Sequence, residues 1–175
     1  MTTASAHIYE LPIPMSPTTP VQGFTGLYER HYEAVFRAAL RVTGNSADAE
    51  DVLQTVFLRV LAQGRDLVDV ALPSAYFRRA AVNAAVDVLR RREFRAESAY
   101  DSDASHPVVQ PSLLLKERLR RALAILDRDD AGLFLLRHVE GLSIEELARL
   151  FEIEKNNVTV RLHRIRVRLK AEIER

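Results

Sequence analysis

Apolar residues recur at helical spacing through most of the chain, and no segment alternates as a strand would. Phe24, Leu27, Tyr28, Tyr32, Val35, Phe36, Ala39 and Leu40 lie along one helical stripe that stops at Thr43-Gly44-Asn45, which predicts a first helix closed by glycine. Asn45 or Ser46 can cap a second helix, with Asp48, Glu50 and Asp51 in its first turns, where the helix dipole favours acids. Its predicted buried stripe is Val52, Leu53, Val56, Phe57, Val60 and Leu61. The pattern breaks between Gln63 and Pro73. Ser74 then caps a third helix with apolar positions Phe77, Ala80, Ala81, Ala84 and Val88.

From about Glu93 to Pro111 the chain turns polar and acidic, with two prolines, which is the composition of a linker. Beyond it, Leu115, Leu119, Ala122, Leu123 and Leu126 mark a fourth helix, and residues 129–140 a fifth that ends at Gly141. Ser143-Ile144-Glu145-Glu146 reads as a capping box opening a short helix. After a break at 151–154, Val158, Leu162, Ile165 and Leu169 form the inward stripe of a last, basic helix. Short helix, tight turn and longer basic helix make a helix-turn-helix. The expected fold is all-α: two small helical domains joined by a flexible linker, with separate cores. The expected boundaries are a disordered tail at 1–23, a first domain at 24–95, a linker at 96–111 and a second domain at 112–175.

Composition narrows the function. At 47% hydrophobic and 28% charged, the 175 residues suit an ordinary soluble globular chain. No apolar run reaches the length of a membrane span, and the N-terminus lacks a signal-peptide pattern, so a cytoplasmic location is expected. The absence of cysteine excludes disulfides, thiolate metal sites and cysteine nucleophiles. His31 sits on an apolar helix face without a second ligand at i+4, so it is a core histidine and no metal site is expected. No Gly-rich phosphate loop, His-Glu-x-x-His or serine elbow is present, so neither a catalytic residue nor a cofactor is expected and the chain is read as a non-enzyme.

The net charge of +1 conceals two basic blocks. Residues 76–95 carry six arginines against two acids, and residues 155–170 carry six basic residues and no acid. Such blocks suit a polyanion with two contact zones, against the alternative of two solvated helix faces. On the second helix Asp51, Gln54 and Leu58 share a face away from the buried stripe, as a surface for a partner helix would. On the third, Tyr76, Arg79, Asn83, Asp87 and Arg90 align opposite the alanine-rich face. Aromatics stack bases, arginines track phosphates and asparagine bonds a base edge, so Tyr76, Arg79, Asn83 and Arg90 fit a single strand. Asp87 is expected to pair with Arg90 or Arg91 along the helix. On the last helix Asn156, Asn157, Val160, His163 and Arg164 are candidate readers of duplex bases, with Lys155, Arg161 and Arg168 on phosphates.

Three motifs in order resemble the extracytoplasmic function (ECF) sigma factors of bacterial RNA polymerase. They are Asp48-Ala49-Glu50-Asp51-Val52-Leu53-Gln54-Thr55-Val56-Phe57, Ala75-Tyr76-Phe77-Arg78-Arg79 with Asn83 and Arg90-Arg91-Arg92, and Glu140-Gly141-Leu142-Ser143 through Arg161-Leu162-x-Arg164-x-Arg166. The resemblance implies a transcription-initiation subunit whose Asp51, Gln54 and Leu58 bind the clamp of the largest polymerase subunit. It also implies that the third helix captures the melted minus-ten element, that the last helix reads the minus-thirty-five duplex, and that the second domain meets the flap of the second-largest subunit. An anti-sigma factor is an implied partner. A free-standing helix-turn-helix regulator is the competing reading, and the first domain argues against it. Glu152 stands where the family usually has a turn glycine, and Glu154 where it usually has a capping serine.

Overall fold

The computed structural model describes residues 20–63, 73–98 and 111–174; among these it contains seven helices and no strand. They are α1 (Pro20–Thr43), α2 (Ser46–Gln63), α3 (Pro73–Ser98), α4 (Pro111–Ile125), α5 (Arg128–His138), α6 (Ile144–Phe151) and α7 (Lys155–Ile173). Three of them open on proline, earlier than the apolar pattern indicates. Proline suits a first helical position because its φ is already helical and the missing N–H would have no partner there. Residues 20–23, expected in the tail, therefore begin α1, Ser74 lies inside α3 instead of capping it, and Pro111 belongs to α4 instead of the linker. At its other end α3 runs to Ser98, through residues expected in the linker. The remaining tail and linker expectations fall on residues 1–19 and 99–110, outside the described residues.

The first three helices close on a small aromatic and alanine core. Val35, Ala38, Ala39, Val52, Val56, Phe77, Ala81 and Val82 are all buried. Phe77 stacks on His31 at 4.3 Å and on Phe57 at 5.7 Å between ring centroids, so the core-histidine reading of His31 holds. α1 ends as expected at Gly44, whose φ of 68° favours glycine. In the second half Leu133, Leu136, Leu147, Leu162 and Ile165 form the interior, and all four stripe positions of α7 are buried.

The two halves do not keep separate cores. Ala84, Ala85, Val86, Val88 and Leu89 are nearly consecutive and all buried, and one helix face cannot supply them all. α3 packs on α1 and α2 and also on α4 and α5, so the two apolar interiors are continuous through it. The helix expected to show one side to a ligand is enclosed on both. Short alanine side chains permit this, because they let several helices approach one axis closely.

Candidate nucleic-acid interface

Asn45, not Ser46, caps α2: its Oδ1 accepts from the amides of Ala47 at 2.8 Å and Asp48 at 3.3 Å. Asp51 and Gln54 are exposed on one face of this helix, and Leu58 is 63% exposed beside them. Leu61 belongs there too. It was expected in the buried stripe, but it is 50% exposed and follows Leu58 by three residues and Gln54 by seven. Nothing in the apolar pattern separates it from the core set, because Val60 next to it is buried and a helix-edge position can turn either way.

The α3 stripe is not open. Tyr76 is half-buried, edge-on to Phe77. Arg79 Nη1 donates to the Leu150 carbonyl at 2.5 Å, its Nη2 lies 3.9 Å from Asp129, and the guanidinium sits 4.2 Å above the Phe151 ring. Arg90 Nε donates to the Ala124 carbonyl at 3.1 Å and its Nη2 donates to the Leu126 carbonyl. Asn83 lies under Gly132, where a Cβ would come within 2.7 Å of Asn83 Oδ1. That oxygen is buried and accepts no hydrogen bond. Asp87 does not pair along its own helix as expected; Arg128 of α5 reaches it at 2.6 Å.

Around this stripe, Glu140, its side chain only 4% exposed, lies 2.9 Å from Arg41 and 4.0 Å from Arg78. Arg92 pairs with Asp48, and Arg121 lies 3.7 Å from Glu93. Sequence reasoning missed Arg41, Arg78, Arg128, Asp129 and Glu140. Their partners lie far along the chain, so no local spacing marks them.

The helix-turn-helix is built as its sequence indicates. Ser143 N donates to Glu146 Oε2 at 2.7 Å, and Glu146 N donates to Ser143 Oγ at 3.1 Å, which completes the capping box. The hydrogen bond from the Ser143 amide holds the Glu146 carboxyl below its ordinary value. The turn forms with Glu152 in the left-handed region at φ 55°, and Ile153 N returns to the Ala148 carbonyl at 3.0 Å. α7 starts at Lys155, with Glu154 at the N-cap making no side-chain cap bond.

Asn156, Asn157, Val160, His163 and Arg164 are all exposed on α7. Lys155 Nζ lies 3.1 Å from Glu145, a pair whose hydrogen bond helps to hold the Glu145 carboxyl low, behind the larger effect of a backbone amide. Arg161 departs from expectation. Both its Nε and Nη2 reach Asp130 Oδ1, at 3.1 and 2.6 Å, so the side chain assigned to phosphate ties α7 to α5. Arg168 remains 58% exposed, with its Nη1 3.9 Å from the second Asp130 oxygen.

Two family models match in the order these surfaces require: sigma-70 region 2 over residues 27–95, and sigma-70 region 4 over residues 116–169. The RNA polymerase sigma-E factor of Streptomyces avermitilis is 30% identical over 145 residues, spanning 81% of this chain and 80% of the relative. This chain belongs to the RNA polymerase sigma factor family. The ECF sigma factor SigL of Mycobacterium tuberculosis is also similar, at 29% identity over 78% of this chain and 81% of SigL. In fold, the sigma factor RpoE of Bartonella quintana, solved with the anti-sigma factor NepR, superposes with a TM-score of 0.51. It is 19% identical, and the match covers 87% of this chain and 98% of RpoE. The protein is thus an ECF-type sigma factor that directs promoter-specific transcription, with region 2 on α1–α3 and region 4 on α4–α7.

No helix among the described residues is long and apolar enough to cross a membrane. No group of three or more potential metal ligands occurs among them either.

Proposed function

We propose that this sigma factor works in the cytoplasm by binding alone, with no chemistry of its own. The Asp51, Gln54, Leu58 face of α2, widened by Leu61, docks on the clamp of core RNA polymerase. Tyr76, Arg79, Asn83 and Arg90 hold the unpaired minus-ten strand once that face of α3 is open. Asn156, Asn157, Val160, His163 and Arg164 read the minus-thirty-five duplex, while Lys155 and Arg168 meet phosphate and Arg161 fixes α7 on Asp130. Region 4 also meets the polymerase flap, and an anti-sigma factor holds the protein silent.

The observation that carries this reading is the exposure of Leu58 and Leu61 beside Asp51 and Gln54. Two exposed leucines on the outer face of a helix whose other side is buried call for a partner. Gln54→Ala combined with Leu58→Ala is expected to weaken binding of core polymerase by at least about tenfold, roughly 1.4 kcal/mol. Helix content and thermal melting should stay as they are, because neither side chain is buried. Unchanged core affinity, measured by fluorescence titration, would remove the assignment.

A further inference from the structure

We propose that Glu154 fixes one base of the promoter, by accepting a hydrogen bond from the exocyclic amine of a cytosine in the duplex that α7 reads. The inference rests on the reading of α7 given above and adds to it a specificity-determining residue.

Glu154 occupies the N-cap of α7, where an aspartate, asparagine or serine would accept from the amides of the first turn. Glutamate, one methylene longer than aspartate, makes no cap bond here. Nor is its charge answered from a side chain. Its neighbour Lys155 reaches Glu145 of α6 at 3.1 Å, and no hydrogen bond or ion pair to the Glu154 carboxylate occurs among the described residues. An exposed, unpaired carboxylate therefore stands at the leading end of a helix that carries six basic residues and no acid from Lys155 to Lys170. In a helix-turn-helix it is this end of the second helix that meets base edges. With Asn157, one turn on, Glu154 also lines the shallow groove between α6 and α7.

Phosphates repel such a group, and its oxygens only accept, so it is tolerated against DNA where a base supplies a donor. The edges exposed in the major groove decide which base does so. Guanine offers two acceptors there, and thymine an acceptor and a methyl group, so both are refused. Adenine sets a donor beside an acceptor. Cytosine presents a donor alone, its N4 amine, and is the best match. Glu154 thus selects by exclusion as well as by attraction. Glu152, the other acid of this segment, belongs to the turn at the C-cap of α6 and serves as the control.

Holoenzyme assembled from the full chain and core polymerase, challenged with duplexes randomised across the minus-thirty-five region, tests the assignment. Bound sequences are expected to show one position at which cytosine is preferred to guanine and thymine by about tenfold, within the discrimination of one good base contact. Glu154→Gln should move that preference toward adenine, which pairs with an amide at two atoms, and Glu154→Ala should flatten it. Other positions should stay as they are, and Glu152→Gln should leave the whole profile intact. Glu154→Asp should raise the melting temperature by gaining the cap bond while losing the cytosine preference, a combination that a purely structural role would not produce.

An unchanged profile in Glu154→Gln would overturn the proposal. So would a uniform gain in affinity for all sequences, which would make Glu154 a repeller of phosphate, or a shift caused by Glu152→Gln instead. Arg164→Ala in the same selection separates this inference from the reading beneath it: if it alters a position that the Glu154 variants leave untouched, the cytosine contact fails and duplex reading by α7 stands. If no substitution on α7 or at Glu154 alters any position, both fail.

Discussion

Glu152 shows how one residue can carry a geometry its side chain does not favour. A residue with a Cβ in the left-handed region suffers a clash worth roughly 1–2 kcal/mol, yet the turn between α6 and α7 requires that conformation at this position. Glu152→Gly is therefore expected to raise stability by about 1 kcal/mol in urea unfolding, once the greater freedom of unfolded glycine is subtracted from that clash. A decrease would mean that the glutamate side chain does something the backbone does not reveal.

His31 carries a different burden. Burial, and to a smaller extent Arg30, lower its pKa from the ordinary 6.5. The folded protein thus disfavours the imidazolium relative to the unfolded chain, so the stability that His31 contributes is complete above pH 6.5. It is lost as the pH falls below that value toward the folded pKa. His138, lowered by burial, Arg166 and Arg137, acts in the same direction. His31→Phe should flatten the fall in melting temperature between pH 7 and pH 5, and a slope equal to that of the wild type would show that His31 is not the group being titrated.

At the scale of elements, α7 combines a fixed inner stripe with an outer face of two kinds of side chain. Arg164 is exposed and no partner holds it among the described residues, whereas Arg168 lies near Asp130 on the flank. If Arg164 contacts a base edge, Arg164→Ala costs about 1–3 kcal/mol of promoter binding and relaxes the sequence requirement at one position. Arg168→Ala should instead weaken all promoters alike and lower the log–log salt slope by about one unit. Titrations of single-base promoter variants at several salt concentrations distinguish the two, and exchanged behaviour would mean that α7 lies in the groove with a different rotation. The inner stripe was legible because Val158, Leu162, Ile165 and Leu169 repeat at one helical period. The role of Arg161 was not, since Asp130 lies 31 residues earlier and reaches it only after α5 and α7 pack.

For the whole molecule, the decisive feature is a helix shared by two interiors. Unfolding α3 removes the packing surface of α1 and α2 together with that of α4 and α5. Calorimetry should therefore record one cooperative transition for the wild type. Gly132→Leu, whose side chain would press on Asn83 where α5 meets α3, is expected to uncouple the halves and split the trace into two. Two transitions in the wild type would mean that the halves melt independently despite their contact.

What the sequence determined by itself was local: the helices, the capping box, the inward stripe of α7 and the exposed trio on α2. Each depends on spacing within a few turns, or on a cap and the amide it faces, and such relations are written in consecutive residues. Even helix starts escaped where proline opened a helix, since the same residue also breaks one. Which face of α3 meets solvent was decided only by tertiary structure. Tyr76, Arg79, Asn83 and Arg90 form a stripe in any helix, but the groups that cover Arg79, Asn83 and Arg90 come from the ends of α4 and α6 and from α5, and nothing in the spacing of α3 reports them. An arginine stripe looks the same in sequence whether it awaits a phosphate or already holds a carbonyl, because the guanidinium satisfies both with the same donors.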